Sequence, residues 1–124
     1  MARLDVAVRR RLEHMRSAAT SIARYAAAGR DRFAADRTLQ DAVLYQLVVL
    51  GEAAKAVLEA EPTVADRHPA IEWRAMARMR DRIAHRYWTM DPAIVWETIA
   101  TDVPALGAHL DELLAVDMDA RHER

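Results

Sequence analysis

Apolar residues recur at alternating steps of three and four at the start of the chain, which is the spacing of an amphipathic α-helix. The apolar stripe consists of Leu4, Val8, Leu12, Met15, Ala19, Ile22 and Ala26. Gly29 follows the stripe, and a glycine in this position readily adopts the left-handed conformation that ends a helix. We therefore predict a first helix that ends near Gly29, followed by a solvated link at residues 30–32.

A second stripe is the most apolar in the chain and predicts a central helix. Its positions are Leu39, Val43, Leu47, Leu50, Ala54 and Val57, widened by Leu44, Val48 and Gly51. Thr38, with Asp41 three residues later, resembles a capping box in which Asp replaces the usual Glu. Because this helix is apolar on more than one side, we expect it to be buried on more than one side.

Prolines and a third stripe organise the middle of the chain. Pro62 predicts the end of the central helix, and Pro69 predicts the end of a short irregular link. From about Ile71 the spacing becomes helical again, with the inward positions Trp73, Met76, Met79 and Ile83. We therefore predict a third long helix that begins near Ile71.

The last helix is predicted to begin at Asp91-Pro92, with Asp91 as N-cap and Pro92 in the first turn. Its apolar stripe consists of Val95, Ile99, Val103, Leu106, Leu110, Leu113 and Leu114. Pro104 lies inside this stripe and predicts a bend, because proline leaves a carbonyl one turn earlier without its N–H partner. From Asp117 the chain is polar, so we expect a frayed tail.

These elements predict an all-α fold, a four- to five-helix up-and-down bundle with a kinked C-terminal helix. The 124 residues are enough for one domain, which we place at residues 1–116, with a polar C-terminal tail at 117–124. The low content of Gly (3) and Pro (4) also favours helices over a β-sandwich, which is rich in turns.

Composition excludes several classes of chemistry and location. Cysteine is absent, so disulfide bonds and thiolate chemistry are excluded, which fits a reducing cytoplasm. The longest apolar run, at residues 43–50, is interrupted by Gln46 and is far shorter than the ~20 residues of a membrane span. The first residues lack the apolar core of a signal peptide. We expect a cytoplasmic protein with no membrane partner.

Charge is concentrated in one place. Residues 74–87 hold five arginines and one acid, a local charge of +4, whereas the whole chain has a net charge of -1. Within this block Arg80 is followed after four residues by His85, and Tyr87 comes two residues later. Histidine transfers protons near neutral pH, and arginine offers a fork of donors to phosphate. The block therefore suggests phosphodiester chemistry.

The spacing of Arg80 and His85 sets a geometric condition. Five residues turn a helix by about 500°, so the two side chains are roughly 140° apart on a continuous helix and share no face. Either the helix ends near Ala84, or Arg80 and His85 meet through a second copy of the protein. Both conditions can hold together, and Tyr87 points the same way as His85 only where the backbone is extended.

Plainer structural roles compete with the catalytic interpretation. Arg80 can simply pair with an acid while His85 ends a helix, and Tyr87 and Trp88 can be packing aromatics. On the central helix, Asp41 and Glu52 lie within roughly 20° of the same face, and Lys55 continues this polar strip. The strip is either a solvated edge with ion pairs along the helix, or Glu52 and Lys55 face the site.

The chain resembles the HepT-like toxins of the HEPN superfamily. The matching blocks cover almost the whole chain in order: Leu39-Gln40-Asp41-Ala42-Val43, Gly51-Glu52-Ala53-Ala54-Lys55, Trp73, the motif Arg80-x4-His85-x-Tyr87, Asp91, Trp96 and Asp102-Val103-Pro104. Two positions depart from the usual pattern. Family members often have Asn where this chain has Asp81 and Gly where it has Ala77, although Asp81 keeps a polar group that can orient His85.

The resemblance implies an all-α bundle of HEPN type, usually a homodimer, that acts as a metal-independent RNase without a cofactor. It also implies a toxin of a type II or type VII-like toxin–antitoxin system, whose cognate MNT-type nucleotidyltransferase antitoxin adds AMP to the motif tyrosine. Arg80 and His85 would then be the catalytic pair and Tyr87 the residue modified by AMPylation. Supporting or RNA-binding positions would be Asp81, Arg78, Arg82, Arg86, Glu52 and Lys55.

RNA carries its own nucleophile, the 2′-OH, so cleavage needs a base, an acid and positive charge on the phosphate, and no metal. One His85 per chain cannot stand on both sides of the phosphorus, whereas two copies at a twofold interface can, each adding its Arg80. The alternative function is a non-catalytic helical module that docks a nucleotidyltransferase.

Overall fold

The computed structural model describes residues 3–122, and every regular element in this range is a helix. The helices are α1 (Val6–Ala26), α2 (Arg30–Ala35), α3 (Arg37–Ala60), α4 (Pro62–Arg67), α5 (Trp73–Arg86), α6 (Pro92–Glu97) and α7 (Val103–His122). A 3-10 turn at Tyr87–Thr89 follows α5, and a π-helical turn at Thr98–Asp102 joins α6 to α7 without a break. The predicted all-α fold is confirmed, and the C-terminal helix, predicted to be kinked, is a long helix formed by joined pieces.

The central position predicted for α3 is confirmed. This helix packs against α1 on one side and α5 on the other, while α1 also packs against α7. The largest side chains that are fully buried come from most of the bundle: Phe33, Leu12, Met15, Ile22, Leu47, Leu50, Ile99, Leu110, Val43, Val57 and Val64. None of the helices within residues 3–122 has a stretch long and apolar enough to cross a lipid bilayer.

Helices α3 and α5 run antiparallel and cross closely at Gly51. A methyl group on Gly51 would lie 2.7 Å from the carbonyl oxygen of Met76 and would overlap the Cβ of Arg80. The glycine therefore allows two backbones to approach more closely than any larger residue would permit. Trp73, Met76 and Ile83 of α5 are buried, as predicted. The opposite face of α5 is therefore the one exposed to solvent.

Two expectations for the segment before α3 are wrong. Residues 30–32 are not a link but the start of α2, which buries Phe33 and begins directly after Gly29 in its left-handed conformation (φ 93°). The N-cap of α3 is Asp36, whose carboxylate accepts a hydrogen bond from the Leu39 N–H at 3.1 Å, and not Thr38. Asp36 has the extended backbone that an N-cap requires, whereas Thr38 already lies inside the helix.

The segment between Pro62 and Pro69 is also more regular than expected. Pro62 ends α3 as predicted, because the helix stops at Ala60. It then occupies the first turn of α4, where a missing N–H costs nothing, so an irregular link is replaced by a short helix. Burial of Val64 and Ala65 against the core stabilises this helix.

The C-terminal helix begins next to Pro92 and is distorted next to Pro104, as the two prolines predict. The Asp91 carboxylate caps α6 by accepting a hydrogen bond from the Ala93 N–H at 2.9 Å. The Val103 N–H donates to the carbonyl of Thr98, five residues earlier, so one turn is widened immediately before Pro104. Pro104 has no N–H for the carbonyl of Ala100, and the wider turn is the local response to that loss.

The expected frayed tail is wrong for residues 117–122, which continue α7. Asp117 is only 3% exposed and accepts hydrogen bonds from the Leu4 N–H at 2.8 Å and from Arg121 at 2.9 Å. It also pairs with Arg9 of α1. These contacts hold the polar segment against the bundle, and the polar sequence alone does not predict them. Residues 123 and 124 of the predicted tail lie outside the described residues.

Candidate active site

The basic block lies along the outer face of α5. Arg74, Arg78, Asp81 and His85 follow one another at steps of four, three and four, so they form one line on the helix surface. Arg74, Arg78 and His85 are exposed, and Arg82 is exposed beside this line. The opposite face of α5 packs against α3, so the cationic side chains face solvent and not the core.

Helix α5 continues past His85 and ends at Arg86, so a helix end near Ala84, one of the two alternatives that the sequence left open, is not observed. His85 and Arg86 occupy the last turn, where positive side chains favour the negative end of the helix dipole. Within one chain Arg80 and His85 therefore do not share a face. Tyr87 does not stand on extended backbone either, since it opens the 3-10 turn with φ -55° and ψ -32°.

Arg80 is held between two carboxylates at the α3–α5 contact. Its side chain is 29% exposed, its Nε pairs with Glu52, and its Nη1 lies 3.1 Å from the Asp81 carboxylate. The buried Nε has no hydrogen bond of good geometry within the described residues. Arg80 is therefore held in position by two carboxylates.

The polar strip of α3 divides into two parts. Asp41 forms an ion pair along the helix with Arg37 at 3.2 Å, which fits the solvated-edge interpretation. Glu52 instead reaches across to α5 and pairs with Arg80. Lys55 is exposed and makes no ion pair among residues 3–122. The structure thus brings together Arg80, Asp81 and Glu52 but does not add Lys55 to them.

His85 lies in an open groove between the end of α5 and the start of α6. The groove has a volume of about 610 Å³. Its lining residues are Asp81, Arg82, His85, Arg86, Thr89, Met90, Asp91 and Ile94. An imidazole flanked by two guanidinium groups on one wall can exchange a proton beside a bound phosphate, because the arginines neutralise the phosphate charge.

A second groove lies between α5 and α7, on the other side of the basic block. Its volume is about 460 Å³, and its walls combine the apolar Met76, Met79 and Leu106 with Arg78 and Arg82. Arg82 therefore lines both grooves, whereas Arg78 does not line the groove that holds His85. Of the arginines predicted to support the site, Arg82 and Arg86 line the His85 groove and Arg78 does not.

Tyr87 and Trp88 are exposed and not packed into the core, so they do not serve as packing aromatics. Tyr87 is 55% exposed and Trp88 is 65% exposed, and their rings meet edge to face with centroids 5.2 Å apart. They line a cavity of about 200 Å³ at the start of α3. Met90 lines this cavity and the His85 groove, so the two are neighbours.

Sequence reasoning missed the lining residues that come from outside the basic block. Thr89, Met90 and Ile94 enter the groove only because the 3-10 turn folds the chain back after α5. The contact between Glu52 and Arg80 lies beside Gly51, whose missing side chain allows the backbones of α3 and α5 to approach closely. Residues 3–122 contain no group of three or more His, Asp or Glu side chains that could hold a metal ion.

Comparison with known proteins gives a consistent result. The family model described as "Ribonuclease HepT-like" matches residues 15–113. A Thermococcus cleftensis protein named "Probable ribonuclease HepT" is 39% identical over 82 residues, which cover 65% of this chain and 71% of the relative. A Methanocaldococcus jannaschii protein named "Putative RNase MJ0127" is 32% identical over 84 residues, covering 68% and 67%. No solved structure gives a significant match.

Proposed function

Since the chain belongs to the HepT-like ribonuclease family, we propose that it is the toxin of a type II or type VII-like toxin–antitoxin pair and cuts RNA as a metal-independent endoribonuclease. The observation that carries this proposal is the exposed imidazole of His85 in a groove flanked by Arg82 and Arg86. An accessible proton-transfer group beside two phosphate-binding cations is what cleavage of a phosphodiester needs.

The reaction uses the 2′-OH of RNA as the nucleophile. A neutral His85 takes the proton of the 2′-OH while the 2′-oxygen attacks the adjacent phosphorus. The bond from phosphorus to the 5′-oxygen breaks, and a protonated His85 gives its proton to that oxygen. The products are a 2′,3′-cyclic phosphate and a 5′-hydroxyl. Arginine side chains stabilise the charge on the non-bridging phosphate oxygens.

A homodimer supplies the two histidines. Arg80 and His85 face different sides of one α5, and the sequence offers one motif histidine per chain. Pairing the α5 helices of two chains places one His85 on each side of the phosphorus, with Arg80 of either chain toward its oxygens. Glu52 and Asp81 support this arrangement by holding the Arg80 guanidinium in place. A monomer with full activity in sedimentation and activity assays would contradict it.

Tyr87 is the site of control by the antitoxin in this proposal. Its side chain is more than half exposed at the turn that separates the small cavity from the His85 groove. Attachment of AMP by a cognate MNT-type nucleotidyltransferase would add bulk and negative charge opposite Arg82 and Arg86. Like-charge competition with the RNA phosphate then silences the toxin without refolding it.

The decisive experiment is incubation of the purified chain with RNA and identification of the cut ends. His85→Ala is expected to lower the cleavage rate by about 100- to 10,000-fold, and Arg80→Ala by a comparable factor. His14→Ala is the matched control, since His14 is also exposed but lies on α1. Chelation of divalent metal ions is expected to leave the rate unchanged. Normal cleavage by His85→Ala, or loss of cleavage on chelation, rules out this mechanism.

A second candidate function is a non-catalytic module that docks a nucleotidyltransferase. Its supporting observation is the pairing of Arg80 with Glu52 and Asp81, which is also how a purely structural arginine behaves. The same assay separates the two functions. A folded wild-type chain that binds the nucleotidyltransferase but cuts no RNA would establish the docking module.

A further inference from the structure

One tryptophan of this chain is exposed, whereas the other two are packed against neighbouring side chains. Trp73 is buried, and Trp96 is partly buried against the ring of Phe33, with centroids 5.7 Å apart. Trp88 is instead more than half exposed, directly after the catalytic candidates of α5. A large exposed aromatic side chain beside a charged groove commonly marks a binding surface.

The ring of the neighbouring Tyr87 contacts Trp88 edge to face. The two planes stand at 85° to each other, so the tyrosine leaves much of the indole surface free. Trp88 has few rotatable bonds and its backbone is fixed by the 3-10 turn. A ring that is ordered before binding loses little entropy when a flat ligand stacks on it.

Positive charge surrounds this aromatic pair on two sides. Arg37 lines the same small cavity, and its ion pair with Asp41 is exposed, so it holds the guanidinium only weakly. Arg86 lines the His85 groove, which adjoins the cavity at Met90. An anionic strand can therefore run from the His85 groove across the turn to Trp88 and meet an arginine on each side.

We propose that Trp88, supported by Tyr87, binds an unpaired base of the RNA next to the phosphate that His85 acts on. This inference rests on the proposed function. A nucleobase is the flat group that fits an exposed indole flanked by phosphate-binding arginines, and every base offers a face for stacking. The site therefore selects single-stranded RNA with little preference for sequence, since a base inside a duplex cannot reach the ring.

The first test measures binding of RNA that stays intact. His85→Ala chains are titrated with a short single-stranded RNA and with the same sequence as a duplex, using tryptophan fluorescence and a labelled RNA. Single-stranded RNA is expected to quench the fluorescence. Trp88→Ala should weaken binding on the order of 10- to 100-fold, since stacking contributes a few kcal/mol per base. Trp88→Phe, which keeps a stacking ring, should retain most of the affinity.

The second test removes the base in place of the ring. Abasic nucleotides are placed one position at a time along the RNA, and cleavage by wild-type and Trp88→Ala chains is compared. At one position the loss of cleavage caused by the abasic nucleotide and the loss caused by Trp88→Ala should not add, because both changes remove the same stacking contact. Losses that add at every position, or duplex RNA that binds as well as single strands, overturn the base site.

The outcomes also separate this inference from the proposed function. Normal cleavage and binding by Trp88→Ala would leave the nuclease in place and refute the base site. RNA binding that depends on Trp88 in a chain that cuts nothing would keep the base site and refute the nuclease. A change from dimer to monomer in Trp88→Ala, seen by sedimentation, would assign Trp88 to a contact with a second copy and refute the proposal.

Discussion

At the scale of single residues, the proposed function gives Tyr87 a role in control and none in catalysis. The proposed chemistry uses His85 and arginine side chains and assigns no step to the Tyr87 phenol. Tyr87→Phe is therefore expected to cut RNA like the wild-type chain but to escape silencing by the cognate nucleotidyltransferase. Intact-mass measurement of chains co-expressed with that enzyme reads the modification directly.

Tyr45 provides the control for this substitution. It is 66% exposed, comparable with Tyr87, but it lies on α3 and lines neither the small cavity nor the His85 groove. Tyr45→Phe chains should still gain the mass of AMP. A fully neutralised wild-type chain whose mass is unchanged would instead show that the antitoxin acts by masking the site.

The sequence was informative about single residues where their role is local. Asp91 caps the last helix and Trp73 faces inward, as their sequence neighbours predict. The role of Glu52 could not be decided, because its partner Arg80 lies on another helix and the choice between edge and site depends on tertiary contact. For the same reason, nothing in the sequence places Trp88 beside Arg37.

At the scale of elements, the crossing of α3 and α5 depends on Gly51. Gly51→Ala would press a methyl group against backbone of α5, and the helices would have to separate. The strain of overpacking costs about 1–3 kcal/mol, which exceeds the gain of up to about 1 kcal/mol from alanine's higher helix propensity. We expect lower stability in urea unfolding, together with weaker RNA cleavage, because Arg80 moves with α5.

Gly107 is the matched control for this prediction. It also lies inside a helix, but a methyl group added there meets nothing within 4 Å. Gly107→Ala should therefore stabilise the protein by roughly 0.5–1 kcal/mol. If both substitutions change stability equally, the crossing of α3 and α5 is not limited by Gly51.

Elements were predictable from sequence when apolar periodicity extends over several turns, as in α1, α3 and α5. Helix α2 was missed because Phe33 is its only buried residue, so six residues show no period. A helix end near Ala84 was one of two alternatives, because the two-residue step from His85 to Tyr87 suggested extended backbone. The chain instead turns away from α5 through a 3-10 turn at Tyr87–Thr89, whose backbone is helical and not extended.

At the scale of the whole molecule, Asp117 joins the first and last helices. Burial raises the pKa of its carboxyl group, but hydrogen bonds from the Leu4 N–H, Arg121 and Arg9 outweigh burial and hold the pKa below its usual value of 3.8. The folded state thus favours the ionised form. This contribution to the free energy of unfolding is complete above the usual pKa and is lost as the pH falls through the lowered one.

Asp117→Asn should therefore be destabilised at neutral pH, by about 1–3 kcal/mol, because Arg9 and Arg121 both lose their ion pair with Asp117. The difference from wild type is expected to shrink as the pH falls below 3.8. Thermal unfolding across this pH range is the measurement. Asp119→Asn, an exposed position on the same helix, controls for the change in net charge. A difference that is constant with pH would show that ionisation of Asp117 contributes nothing.

The joint between Leu4 and Asp117 also determines the order in which the molecule can form during synthesis. Its two partners are 113 positions apart, so the contact must wait until Asp117 has left the ribosome. Helices α3 and α5 are much closer in sequence, and their contact can form while α7 is still being made. The arginine-rich face of α5 can therefore take shape on the nascent chain before the last helix covers α1.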